Sequence, residues 1–71
     1  MTEFEIKVIN TLAECDMSLS MTAKKLYVHR NTLTYHIEKI KQQTGLDARR
    51  FYDLCRLLEV ANESDIKISR R

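Results

Sequence analysis

SMTAKKLYVHRNTLTYHIEKIKQQTG, residues Ser20 to Gly45, decides the fold. It holds two helical periodicities separated by about three residues. Ala23, Leu26, Val28, Leu33 and Ile37 are small or apolar where two crossing helices and a tight turn between them need it. Ala23 stands at the expected point of closest approach, Leu26 and Val28 close the turn from inside, and Leu33 and Ile37, four apart, share one face of the second helix. This spacing predicts a helix-turn-helix, with a short helix Met21 to Leu26 capped by Ser20 and a longer one from about Arg30 to Thr44 with His29 at its N-cap. The turn position that often carries glycine is Tyr27, so a left-handed backbone there would be strained.

Working outward, the longer helix turns Leu33, Ile37, Ile40 and Thr44 inward and presents Asn31, Thr34, Tyr35 and Glu38 on the other side, with Arg30 at its leading edge. Those types suit a duplex. Arg can grip guanine with two hydrogen bonds, Asn can do the same for adenine, a Thr methyl can pack on thymine, and Tyr can reach a phosphate. Lys24 and Lys25 point away from Ala23 and Leu26, either toward flanking phosphates or simply into solvent. His29 caps the helix or approaches a phosphate, and His36 packs at the core margin beside Leu33 and Ile40.

Charge supports a polyanion partner. Met1 to Asp16 carries one Lys against four acids, Met17 to Arg50 seven Lys/Arg against two, and Phe51 to Ile66 one Arg against four, before Lys67, Arg70 and Arg71 close the chain. The net charge of +2 hides this concentration of cations on the two-helix unit. Arg49 and Arg50, near an expected helix start, sit against the favourable dipole sign and hint at an external anion or at plain surface charge.

A first helix, about residues 3 to 15, opens with Thr2 as N-cap and Glu3 and Glu5 in its first turn. Phe4, Val8, Leu12 and Cys15 form one stripe, and Ile6, Ile9 and Ala13 a second, so about half its circumference is apolar. After the second-last helix, Gly45 reads as a left-handed cap with Leu46 folding back on Ile40. Asp47 is then expected to cap a fourth helix, about Ala48 to Asn62, with Phe51, Leu54, Cys55 and Leu58 as inner stripe widened by Leu57 and Val60. Residues 1–62 form the domain and 63–71 a mobile polar tail.

Seventy-one residues make one small all-α domain with little room for a substrate cleft. Without proline and with a single glycine, the chain is poor in the reversals a sheet protein needs. Neither a nucleophile beside a base nor a Gly-rich phosphate loop appears, so no enzyme and no cofactor are expected. No membrane-length apolar run or signal peptide is present, which places the chain in the cytoplasm. Cys15 and Cys55 read as reduced core thiols, and their spacing from His29 and His36 does not suggest zinc.

The run TAKKLYVHRNTLTYHIEKIKQQTGLD, Thr22 to Asp47, resembles the C-terminal DNA-binding domain of the PucR/CdaR family of bacterial transcriptional regulators, a Fis-like helix-turn-helix. VHRNTL (Val28 to Leu33), the TGLD step (Thr44 to Asp47) and their spacing from Thr22-Ala23 carry the likeness, which fades before about Ile6 and after about Ala61. The resemblance implies a four-helix domain binding double-stranded DNA, cut from a longer protein whose N-terminal region senses a metabolite. It also turns Ile6, Ile9, Leu12 and Ala13 inward, leaving Phe4 and Val8 as a surplus edge. That edge is the candidate contact for a second copy in a homodimeric regulator, or for another protein if the module binds no DNA.

Overall fold

The four expected helices are present: α1 (Glu3–Glu14), α2 (Leu19–Leu26), α3 (Arg30–Thr44) and α4 (Phe51–Ala61). The computed structural model describes residues 1–62, and the tail expected over 63–71 lies outside them. No described helix is long and apolar enough to cross a membrane.

α1 starts as its sequence demands. The Thr2 hydroxyl accepts from Glu5 N at 3.1 Å while the Glu5 carboxylate accepts from Thr2 N at 2.9 Å, a reciprocal capping box. The closed box lets Glu5 be almost fully buried with its charge hydrogen-bonded. Along α1, Val8, Ile9 and Leu12 are completely buried, because α1 packs against each of the other three helices. Most of the wide apolar cover is therefore used up inside the domain, while Ile6, expected inward, stays half-buried outside the core cluster. Val8 belongs to the core, and Phe4, half-buried, lays its ring edge-on against His36 with centroids 4.9 Å apart. The Phe4/Val8 edge expected to receive a second copy or another protein does not exist as a free surface.

The α1–α2 turn is tighter than expected. Asp16 and Met17 both take positive φ, 55° and 66°. Met17 N donates to Leu12 O at 2.8 Å and Asp16 N to Ala13 O at 3.2 Å, the paired bonds of a Schellman ending, with Met17 packed on the core beneath. The reversal takes so few residues that Ser18, not Ser20, caps α2, its Oγ accepting from Met21 N at 3.2 Å. The same device closes α2. Val28 N donates to Ala23 O and Tyr27 N to Lys24 O, with Tyr27 left-handed at φ 58°. Thr22 and Ala23 are buried at the crossing with α3.

α3 ends at Gly45, φ 78°, whose N–H donates to Lys41 O at 2.7 Å. Thr44, expected inward, is exposed: its hydroxyl donates to Ile40 O and accepts from Leu46 N, finishing the helix end. Asp47 does not cap α4. Residues 47–50 make a turn closed by Arg50 N to Asp47 O, Asp47 Oδ1 accepts from Arg49 N, and α4 begins at Phe51 without a side-chain cap. The buried stripe also lies to one side of the expected one. Leu54 and Leu57 are buried, with Leu58 and Ala61 packed beside them, while Phe51, Cys55 and Val60 face out. Cys55 is thus a surface thiol, Cys15 is half-buried, and both are free. At the far end Asn62 Nδ2 donates to Asn10 Oδ1 at 2.9 Å, tying α4 back to α1.

Two left-handed residues give opposite expectations. Tyr27 is 94% exposed, so Tyr27→Gly loses no packing and relieves αL strain against the added entropy of glycine. Its melting temperature should be unchanged or raised by up to about 4–8 °C, the equivalent of about 1 kcal/mol. Gly45→Val meets no atom within 4 Å of its new Cβ and should still lose about 1–2 kcal/mol, from backbone strain alone. Thermal melting of both variants checks the pair, and a destabilised Tyr27→Gly would show that the tyrosine anchors the fold.

Candidate nucleic-acid interface

α3 is held from below and open above. Leu33, Ile37 and Ile40 are completely buried, which at about 100° per residue aims the opposite side at solvent. At its start His29 Nδ1 accepts from Asn31 N at 3.0 Å. A neutral ring accepting there carries its proton on Nε2, leaving that N–H outside the cap as a donor. Asn31 and Tyr35 are exposed along the outer side, and Arg30 is exposed at the leading end of the helix. His36 is half-buried between the rings of Phe4 and Tyr35, as a packed histidine should be.

Two candidates are placed differently. Thr34 is half-buried and its hydroxyl donates to Arg30 O at 3.1 Å, so its polar atom already has a partner within the helix. Glu38, also half-buried, accepts from Arg49 Nη2 across the α3–α4 turn. Arg49 donates through Nε to Asp47 Oδ1 at 2.9 Å as well. The external anion that Arg49 hinted at is therefore this internal carboxylate pair. Among the exposed residues of α3 that escaped the sequence reading are Thr32, Lys39 and Gln42. Each stands more than about 90° from the Leu33–Ile37–Ile40 stripe, so the same helical arithmetic could have found them.

Ion pairing thins the basic excess selectively. Of the seven cations between Met17 and Arg50, Lys25 lies 3.5 Å from Glu14, Lys41 3.9 Å from Asp47, and Arg49 between Glu38 and Asp47. Lys24, Arg30, Lys39 and Arg50 make no ion pair among the described residues. Three of these four sit on α2 and α3, so uncompensated charge concentrates on the two-helix unit. Among the described residues no cluster of His, Cys, Asp or Glu is arranged to hold a metal ion.

A short helix joined through a left-handed turn to a longer one, whose exposed N-terminal half carries Arg, Asn and Tyr, defines the class: a helix-turn-helix DNA-binding domain of transcription regulation. Residues 6–61 match the family described as the PucR C-terminal helix-turn-helix domain, and the chain belongs to that family. The match runs from the first turns of α1 to the last residue of α4. The chain is similar to the carbohydrate diacid regulator of Escherichia coli (strain K12), 48% identical over 44 residues, 62% of this chain and 11% of that protein. It is also similar to an uncharacterized protein of Haemophilus influenzae, 57% identical over 35 residues, 49% of this chain and 9% of the other. A leucine-rich protein of Streptococcus dysgalactiae subsp. equisimilis is 40% identical over 47 residues, 66% of this chain and 17% of that protein. The alignments thus span only a small part of each relative's length. No solved structure matches the chain.

The Asp47–Arg49 contact has a pH signature. The Arg49 side chain bonded to Asp47 holds that carboxyl below its ordinary range. A depressed folded-state value means that the stabilisation is present above the ordinary carboxylate range and lost as pH falls through it. Arg49→Ala should therefore melt slightly below the parent at neutral pH, by under about 1 kcal/mol for so exposed a network, with the gap closing as pH falls below the ordinary carboxylate range and through the depressed value of Asp47. A gap of equal size at neutral and at acid pH would assign the loss to something other than this pair.

Proposed function

We propose that the domain binds double-stranded DNA sequence-specifically, with the N-terminal half of α3 in the major groove. The observation that carries this reading is the exposed N-terminal half of α3, with Arg30 open at the helix end and Asn31 and Tyr35 on the outer side while Leu33, Ile37 and Ile40 are buried. Arg30 and Asn31 read base edges, Tyr35 and the His29 Nε2 donor reach a phosphate or a base acceptor, and Thr34 offers its methyl. Lys24 takes a flanking phosphate, and Lys25 can do so only by leaving Glu14. Glu38 supports Arg49 rather than touching a base. Lys39 joins the positive surface.

The domain is the DNA-reading part of a longer cytoplasmic regulator and is not an enzyme. One recognition helix reads only a few base pairs, so the regulator acts as a homodimer on an inverted repeat with half-sites about 34 Å apart. The rival reading, a protein-interaction module without DNA, relied on the Phe4/Val8 edge and loses its surface.

Duplexes selected from a random pool test the assignment. Arg30→Ala and Asn31→Ala should each lose about 1–3 kcal/mol on the selected site and relax preference at one position. Lys24→Ala should weaken every duplex alike and flatten the salt dependence by about one unit. Parent-like binding by all three variants, or no preference in the parent, would refute the groove assignment.

A further inference from the structure

A row of three rings connects α1 with the outer side of α3. Phe4, in the first turn of α1, meets His36 with ring centroids 4.9 Å apart and planes at 66°. His36 in turn meets Tyr35 at 5.2 Å and 77°. Both contacts are edge-to-face, an arrangement that the quadrupoles of aromatic rings favour. Phe4 and His36 are half-buried, whereas Tyr35 is 60% exposed. The Nδ1 of His36 is buried without a hydrogen-bond partner, so packing and not a bond at that nitrogen holds the middle ring.

A helix does not bring Tyr35 and His36 together by default. Successive residues diverge by about 100°, and neighbours in sequence do not face each other. The two rings meet because they lean together, which carries Tyr35 toward the flank where His36 meets α1. Asn31 stands four residues earlier, about 40° from Tyr35 in the opposite sense, at the spacing where helical side chains touch. The lean therefore takes the tyrosine ring off the asparagine. We propose that Phe4 and His36 are positioning residues for DNA binding, holding the exposed Tyr35 ring against the α1 flank and clear of Asn31, so that phenol and amide meet separate groups on the duplex. This assignment rests on the reading of α3 as the groove helix and makes that reading depend on a residue of α1. A side chain already held in place spares the complex its ordering cost, about two- to tenfold in affinity for one tyrosine.

A double-mutant cycle on affinity for the selected duplex tests the row. His36→Ala should weaken binding about two- to tenfold in the parent and change nothing in a Tyr35→Ala background. Phe4→Leu should show the same coupling, and it carries the cycle if His36→Ala fails to melt like the parent. His36→Phe keeps an aromatic ring in the middle and gives up no hydrogen bond at Nδ1, so it should bind like the parent. Without DNA, NMR of the 71-residue chain should show the His36 ring protons close to those of both Phe4 and Tyr35. Losses of equal size with and without Tyr35, a His36→Phe variant as weak as His36→Ala, a Tyr35→Ala variant that binds like the parent, or missing ring contacts in the free chain would overturn the proposal. A parent that prefers no duplex retires the groove reading and the proposal together, whereas a selective parent with uncoupled variants retires the proposal alone.

Discussion

Everything in this domain rests on α1. A chain this short has one core, and α1 is the helix that every other helix touches. Its Val8, Ile9 and Leu12 are completely buried, and each fully buried aliphatic of this size contributes about 1.5–3 kcal/mol. The requirement that three partners share one helix explains why about half of α1 is apolar. It also fixes the outward face of α3: with Leu33, Ile37 and Ile40 held inside by that core, Asn31 and Tyr35 have only solvent or a ligand to face, while Arg30 is open at the helix end.

The second constraint is the angle between helices, set by left-handed reversals. Asp16 with Met17, Tyr27 and Gly45 each reverse a helix end, and only the last is glycine. The other two accept strain because the carbonyls of Leu12, Ala13, Ala23 and Lys24 gain donors there and because Met17 and Val28 fold back onto the core. Tyr27 brings no packing of its own, being almost wholly exposed. Its backbone is held by its neighbours, and those same neighbours set the entry of α3.

Charge is sorted by the fold as much as by the sequence. The cation-rich stretch looks uniformly positive when read as a string, yet Arg49 is consumed by Glu38 and Asp47 while Lys24, Arg30 and Lys39 stay unpaired among the described residues. Arg49 and Glu38 are eleven positions apart, beyond any spacing at which one helix brings side chains together. The turn at Gly45 makes them neighbours. It thereby gives the Glu38 carboxylate a partner across the α3–α4 turn.

The sequence by itself determined the helices, their order and the identity of the helix that faces outward. Those features are local: an apolar repeat near 3.6, the Thr2 and His29 caps and the Gly45 stop act within a few residues of themselves. The family was legible for the same reason, in the contiguous runs VHRNTL and TGLD. Tertiary structure alone decided which apolar residues are core. Val8 and Phe4 looked surplus because the residues that cover them, His36 among them, come from distant helices. Phe51 and Cys55 looked internal beside Leu54 and Leu58, and α4 instead packs on α1 through the neighbouring face, burying Leu54 and Leu57. Ser20 lost the α2 cap to Ser18 because two consecutive left-handed residues without glycine leave no mark in composition. A residue's periodicity fixes the face of its own helix, and only the packing of other helices against that face decides whether it is buried.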